Sequence, residues 1–227
     1  MSEKERCWPY MQLYLASKSP RRLEILQQLG ISCQLLTADS SSELVDESPL
    51  PLEAPATYVE RISRAKAAQG QALLRKHPSA SFPCLLLAAD TAVEVSGRIL
   101  GKPRDAEDAV SMLRLLAGRT HTVLSGIVLS LLGADDNVRE CYRVSKSRVR
   151  FCGLDENAIN AYVASGEPMD KAGAYGIQGA AAFFIARLEG SYSGVMGLPI
   201  HEMGRLFHDL GIPLPPAISR KAVFPTP

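Results

Sequence analysis

The sequence predicts a single α/β domain, built on a mixed twisted sheet with helices around it. Buried-strand patterns alternate with amphipathic segments at helical spacing, among them residues 57–77 and 105–117. Two strand-rich segments, residues 120–132 and 138–151, flank a short turn and predict an antiparallel hairpin. The chain has 227 residues, 46% of them hydrophobic, which suffices for one large domain or two small ones.

Shorter patterns complete the prediction. We place the domain at residues 12–211 and expect residues 1–11 and 212–227 to form flexible tails, because the first segment has mixed charge and the last is rich in proline. The further predicted elements are strands at 12–16, 33–37 and 181–188, helices at 20–29, 155–165 and 199–210, loops at 38–55 and 166–180, and a turn at 190–194.

Charge and composition exclude several classes of protein. A net charge of +1 gives no global field that favours nucleic acid or a membrane surface, and no apolar run approaches the ~20 residues that span a bilayer. The five scattered cysteines and four histidines lack disulfide or metal-ligand spacing. We therefore expect no nucleic-acid partner, no membrane association and, by default, a cytoplasmic location.

The stretch from Cys84 to Asp105 contains the strongest candidate for a reactive group. A buried run ends at Asp90, where a carboxylate is costly unless it has partners. A hairpin turn at Gly97 would bring Lys102 back toward that carboxylate. The alternative is that Asp90 only caps a turn.

A second candidate is the junction between the first strand and the first helix. Ser19 and Pro20 suit the N-cap and first position of a helix, and Ser17, Arg21 and Arg22 lie beside them. Free backbone N–H groups, the helix dipole and guanidinium groups together bind phosphate. The alternative is that the arginines form a solvated helix face.

Three weaker candidates lie elsewhere. Glu47 belongs to an acidic loop that could supply a metal ligand, and Lys66 lies next to the apolar face of its helix. Gln178 lies in a glycine-rich loop, and its amide can match the donor and acceptor edge of a base. Each of these alone is more often a surface residue. His121 is more often a structural histidine than a catalytic one.

Seven motifs, in order, resemble those of the Maf family of nucleotide pyrophosphatases. The resemblance runs from about Leu13 to Leu210, and Ala-Tyr-Gly-Ile-Gln-Gly at 174–179 resembles the branch that acts on dTTP and UTP. The motifs are Leu-Ala-Ser-Lys-Ser-Pro-Arg-Arg at 15–22, Val-Asp-Glu-Ser at 45–48, Arg-Ala-Lys-Ala at 64–67, Ala-Asp-Thr at 89–91, Gly-Lys-Pro at 101–103, Asp-Lys-Ala-Gly-Ala-Tyr-Gly-Ile-Gln-Gly at 170–179 and Val-Met-Gly-Leu-Pro at 195–199.

This resemblance implies an activity: hydrolysis of the bond between the α and β phosphates of dTTP and UTP, giving the monophosphate and pyrophosphate. CTP and modified pyrimidine nucleotides are further candidate substrates. It also implies a divalent cation, Mg²⁺ or Mn²⁺, and a homodimer. The implied architecture is shared with the ITPases and has a cleft between two lobes.

The resemblance also implies roles for single residues. Asp90 would be the general base and a metal ligand, with Glu47 as the second metal carboxylate. Because the sequence before Glu47 is longer than is usual in the family, Glu43 is the alternative ligand. Arg21, Thr91 and Gln178 would govern substrate choice. The residues implied to hold the triphosphate and offset its charge are Ser17, Arg21, Arg22, Lys66 and Lys102, of which the two lysines count as catalytic.

Two alternatives remain at this point. The chain could instead hydrolyse 7-methyl-GTP or another modified nucleotide. It could also be a nucleotide-sensing regulator of cell division that works by association without catalysis.

Overall fold

A mixed seven-stranded sheet forms the centre of the molecule. The computed structural model describes residues 11–36, 45–135 and 137–214. The strand order is β2-β1-β3-β5-β6-β7, and β4 pairs with β3 off this path. The strands are β1 (Leu13–Ala16), β2 (Gln34–Leu35), β3 (Cys84–Val95), β4 (Arg98–Leu100), β5 (Thr120–Leu132), β6 (Val138–Phe151) and β7 (Ile185–Glu189).

Both strand orientations occur, which confirms the predicted mixed sheet. β1 runs parallel to β2 and to β3, whereas β3, β5, β6 and β7 are successively antiparallel. The long hairpin of β5 and β6 has the predicted boundaries, since both strands alternate or bury apolar residues up to a polar turn.

Six helices in the described ranges surround the sheet. Asp105 and Asp155 cap α3 and α4 by accepting hydrogen bonds from the backbone N–H of Asp108 and Ala158. None of the described helices is long and apolar enough to cross a membrane. The helices are α1 (Pro20–Gln28), α2 (Pro55–Lys76), α3 (Ala106–Leu116), α4 (Glu156–Ala164), α5 (Tyr192–Val195) and α6 (Ile200–Asp209).

Two large apolar clusters correspond to the two predicted lobes, and β3 passes through both. The first cluster packs α1 and α6 against the sheet and includes Leu87 and Ala89 of β3. The second packs α3 and α4 against the sheet and includes Val93 and Val95. Asp90 therefore lies at the point where β3 passes from one lobe to the other.

The structure corrects several predicted elements. Residues 180–184 form a 3₁₀ helix, and only Ile185–Glu189 is a strand, because the Ala-Ala-Ala-Phe-Phe run has no alternation and its first turn closes by a bond from Ala182 N–H to the carbonyl of Gly179. The turn predicted at 190–194 is the short helix α5, since Ser191 caps it. The loop at 166–180 contains two 3₁₀ helices, Glu167–Asp170 and Ala172–Ala174.

Candidate active site

A cleft of about 800 Å³ lies between the two lobes. It is lined by every described residue that the sequence analysis singled out as a catalytic, binding or metal-ligating candidate. These are Ser17, Arg21, Arg22, Glu47, Lys66, Asp90, Thr91, Lys102 and Gln178. Glu43, the alternative metal ligand, lies outside the described residues.

Sheet topology explains why Asp90 and the start of α1 meet. β1 pairs with β3 in parallel as far as Ala16 opposite Ala88, and there β1 ends while β3 continues. The chain that leaves β1 enters α1 at Pro20, so the amino end of that helix lies beside the segment of β3 that carries Asp90. Ligands of α/β sheets commonly bind at the carboxyl ends of parallel strands.

Close packing of α2 on the sheet places Lys66 over Asp90. Gly126 of β5 lies opposite Asp90, and a Cβ atom there would be 2.6 Å from Ser63 Oγ and 3.0 Å from the carbonyl oxygen of Val59, both in α2. A side chain at position 126 would therefore push the helix away. The glycine lets α2 approach, and Lys66 follows Ser63 by one helical turn.

Lys66 joins two carboxylates. Its Nζ atom lies 2.6 Å from Asp90 Oδ1 and 2.7 Å from Glu47 Oε1. Burial alone would raise the pKa of Glu47, but the charge of Lys66 and its hydrogen bond outweigh burial, so this pKa lies below its ordinary value. The backbone carbonyl of Glu47 accepts a hydrogen bond from the hydroxyl of Tyr58 at 2.8 Å, which ties the loop to α2.

Asp90 keeps one oxygen atom without a partner. Its side chain is 7% exposed, and Oδ2 is buried with no hydrogen-bond partner among the described residues. A buried carboxylate oxygen without a partner is costly, so a ligand that satisfies it gains this energy back. A water molecule or a cation in the cleft can do so.

Arg22 is buried, and its guanidinium group bonds to three separate segments of the chain. It donates from Nε to the carbonyl of Gly197 at 2.8 Å and from a terminal nitrogen to Ser17 Oγ at 2.9 Å. Its other terminal nitrogen lies 3.4 Å from Thr91 Oγ1. Burial lowers the pKa of Arg22 from its ordinary value, against the opposing influence of Asp90.

Thr91 is held from the opposite side by Ser125, which the sequence analysis did not identify. The two hydroxyl oxygens are 2.8 Å apart, and Ser125 donates to the carbonyl of Gly194 at 2.6 Å. Because the single proton of Ser125 is used there, Thr91 donates to Ser125 and accepts from Arg22. No sequence pattern marks a serine inside an apolar strand as part of such a chain.

The far wall of the cleft comes from the second lobe. Arg21 reaches across to Asp170 at 3.7 Å, and Lys171 is 2.6 Å from Asp170. The backbone N–H of Gly173 donates to the carbonyl of Gly101 at 2.9 Å, which joins the loop that carries Gln178 to the segment that carries Lys102.

A divalent cation fits part of this site. The described residues contain no group of three or more His, Cys, Asp or Glu side chains that could hold a metal. Asp90 and Glu47, however, converge on one ammonium group, and Asp90 Oδ2 lacks a partner. Mg²⁺ is commonly held by one or two carboxylates, with water and phosphate oxygens completing its shell.

These features define a class of protein, one whose α/β cleft is suited to a ligand with several phosphates. The cleft gathers a carboxylate, lysines, arginines and the amino end of a helix. The chain belongs to the Maf family, because the Maf-like protein profile matches residues 12–210.

Two relatives of known name align with most of the chain. It is 47% identical to the dTTP/UTP pyrophosphatase of Dechloromonas aromatica, over 88% of this chain and 98% of the relative. It is 48% identical to the dTTP/UTP pyrophosphatase of Aromatoleum aromaticum, over 89% and 97% of the two chains. A solved HAM1 protein from Coxiella burnetii is 14% identical with a TM-score of 0.43, covering 88% of this chain and 99% of that one.

Proposed function

We propose that this protein hydrolyses dTTP and UTP between the α and β phosphates, releasing the nucleoside monophosphate and pyrophosphate. The observation that carries the proposal is the buried Asp90 carboxylate, with one oxygen bound to Lys66 and the other without a partner among the described residues. The names of the relatives supply the substrates.

Asp90 is the proposed general base. Lys66 fixes Oδ1, so Oδ2 is left to accept a proton from a water molecule. The oxygen of that water attacks the α phosphorus, the bond from the α phosphorus to the bridging oxygen breaks, and pyrophosphate leaves with the bonding electrons. Neither a histidine nor a cysteine nucleophile is needed.

The phosphate chain is held by positive charge. Arg21 and Arg22 lie in the first turn of α1, next to the positive end of the helix dipole. Cations are unfavourable there unless a bound anion, such as a phosphate, offsets the charge. Lys102 adds a further positive charge, and the neutral hydroxyl of Ser17, which accepts from Arg22 and from the backbone N–H of Ser19, keeps its own proton to donate to a phosphate oxygen. In phosphoryl transfer, positioning and electrostatic stabilisation supply most of the catalysis, so such a set suffices.

Asp90 and Glu47 are the proposed ligands of Mg²⁺ or Mn²⁺. The bound cation would offset negative charge on the phosphate oxygens. Lys66 contacts both carboxylates, so it holds them together before the cation arrives.

Gln178 and Thr91 are the proposed determinants of base choice, together with Arg21. Uracil and thymine present an acceptor O4 beside a donor N3–H, which one amide can bind as a pair. Gln178 is exposed and lines the cleft, so its amide is available. Cytosine reverses the pattern and should bind less well.

Further proposals rest on the family resemblance. We infer a homodimer and a cytoplasmic protein, with CTP and modified pyrimidine nucleotides as secondary substrates. The domain limits of 12–211 stay a prediction. Sedimentation velocity on the full chain tests the dimer, and a single monomer boundary at micromolar concentration would contradict it.

The experiment that tests the function is pyrophosphate release from UTP, dTTP, CTP, GTP and 7-methyl-GTP with Mg²⁺ or Mn²⁺. We expect UTP and dTTP to be preferred and pyrophosphate, not orthophosphate, to be the product. Preference for 7-methyl-GTP would place the protein in the branch of the Maf family that acts on that nucleotide. Binding of nucleotides without hydrolysis would indicate a sensor.

Gln178→Glu tests base recognition in the same assay. The substitution replaces the donor that faces O4 by a second acceptor, so the KM for UTP should rise by about tenfold. Unchanged UTP and dTTP turnover would contradict the role of Gln178.

A further inference from the structure

The segment 176–180, which carries Gln178, folds around the carboxylate of Glu167. A Cβ atom on Gly179 would lie 1.9 Å from Glu167 Oε1, and one on Gly176 would lie 3.8 Å from the same oxygen. The backbone N–H of Ala180 donates to Glu167 Oε2 at 3.0 Å. The glutamate therefore fills the inside of the turn, and only glycine at position 179 lets the chain pass so closely.

Glu167 is itself anchored to the second lobe. The buried Tyr162 of α4 donates its hydroxyl to Glu167 Oε1 at 3.0 Å. The ammonium group of Lys171 donates to the backbone carbonyl of Glu167. Burial, and next the hydrogen bond to Glu167, raise the pKa of Tyr162, so its hydroxyl remains a proton donor. Glu167 thus links α4 to the loop that carries Gln178.

Gln178 has no such support for its own side chain. It is exposed and makes no hydrogen bond or ion pair within the described part of the chain. The backbone of residues 176–180 consequently sets where this side chain begins and which part of the cleft its amide can reach. The groups that fix this backbone determine where the amide meets a base.

We propose that Glu167 is a positioning residue for base selectivity, which holds the 176–180 segment so that the Gln178 amide faces the base of the nucleotide. The inference rests on the proposed function for its substrate. Glu167 lines the same cleft, but its side-chain hydrogen bonds go to Tyr162 and Ala180 and not to Asp90, Lys66 or Arg22. Its removal should therefore weaken base binding without disabling the chemical step.

Kinetics of Glu167→Ala and Glu167→Gln with UTP test the proposal. Loss of the bond to Ala180 should raise the KM for UTP by about tenfold, while kcat stays within about threefold. Glutamine can accept from Ala180 and donate to Tyr162, so Glu167→Gln should keep a KM near that of wild type. Glu156→Ala, on the exposed start of α4, is the matched control and should change neither constant.

Two results would overturn the proposal. If Glu167→Gln were as impaired as Glu167→Ala, the negative charge and not the position would matter. If Glu167→Ala lowered kcat with KM unchanged, Glu167 would serve the chemical step and not base binding.

A double-mutant cycle with Gly179→Ala gives a second test that does not depend on one variant. In wild type the added methyl group collides with Glu167, so Gly179→Ala should raise the KM for UTP by about tenfold. In the Glu167→Ala background the space is free, and the same change should have almost no further effect. Additive effects would show that the two residues act separately.

Hydrogen exchange in the nucleotide-free protein separates this inference from the proposed function. The amide of Ala180 should exchange at least about tenfold faster in Glu167→Ala than in wild type. If wild type hydrolysed no UTP, the proposed function would be wrong. The exchange rate of the Ala180 amide would still show whether Glu167 holds the 176–180 segment. Equal exchange rates in both proteins would overturn the positioning role.

Discussion

The ammonium group of Lys66 lies 2.6 Å from Asp90 Oδ1 and leaves Oδ2 without a partner among the described residues. The pair joins the middle of α2 to the point on β3 where the two lobes meet. The side chain of Asp90 is 7% exposed, and that of Lys66 is 19% exposed. In such surroundings the loss of Lys66 leaves the buried Asp90 carboxylate uncompensated, whereas Lys66 has a second carboxylate partner in Glu47.

Lys66→Met should disable the site while keeping much of the side-chain volume. Without the ammonium group, Asp90 and Glu47 repel each other, and the phosphates lose one of the positive charges that the cleft offers them. We expect kcat/KM for UTP to fall by about 100-fold. The pKa of Glu47, measured by NMR, should rise, because Lys66 does more to lower it than Lys102 or Arg22.

Lys76→Met is the control for that change. Lys76 lies in the same helix, is exposed and does not line the cleft. If both variants kept wild-type activity, the ion pair of Lys66 would have no part in the reaction.

Ser125→Ala should act on substrate binding through Thr91. The substitution removes the donor to Gly194 and the acceptor for Thr91, so Thr91 can turn away from Arg22. We expect the KM for UTP and dTTP to rise by about fivefold to tenfold, with a loss of about 1–2 kcal/mol in the free energy of unfolding. Steady-state kinetics and urea denaturation measure the two effects.

Ser130→Ala provides the comparison for Ser125. Ser130 is equally buried in β5 but contacts Gln71 and Glu140, away from the cleft. The Ser130→Ala variant should therefore be less stable than wild type but should keep the wild-type KM. A rise in KM of the same size in both variants would contradict the chain from Ser125 to Arg22.

His121 should make the protein less stable in mild acid. It is buried against Phe151 and Tyr175, and burial lowers its pKa to about 4 from an ordinary value of 6.5. The unfolded chain therefore takes up a proton between these values and the folded protein does not, so stability present above pH 6.5 is lost as pH falls toward 4.

The size of this effect is measurable by denaturation. Between pH 7 and pH 5 the histidine should remove about 2 kcal/mol from the free energy of unfolding. His121→Gln removes the titrating group, so this part of the pH dependence should disappear even if the variant is less stable at pH 7. An unchanged difference between the two pH values would contradict a buried neutral histidine.

Most of the fold was predictable from local patterns. Strand β3, the hairpin of β5 and β6, and the helices capped by Asp105 and Asp155 all follow from apolar runs, alternation and cap residues. The 3₁₀ helix at 180–184 was not predictable, because its first amide is held by Glu167, thirteen residues earlier in the chain. Tertiary contacts of this kind override local preference.

The candidate site was predictable to a similar degree. Asp90 and the start of α1 could be found from burial and helix-start signals, whereas Lys66, Glu47 and Gln178 depended on the family resemblance. Ser125 and Glu167 were missed, since their partners are brought close only by sheet pairing and loop folding. The structure shows which polar groups are buried and what they contact, whereas the pattern of apolar residues in the sequence does not.

The most direct test of the account is pyrophosphate release from UTP and dTTP by wild type and Asp90→Asn, with nucleotide binding measured in parallel. Asparagine can still accept a hydrogen bond from Lys66 but is a far weaker base. We expect turnover to fall by a factor of about 10² to 10⁴ while UTP still binds. Turnover by Asp90→Asn equal to that of wild type would contradict a hydrolase that uses this carboxylate as its base.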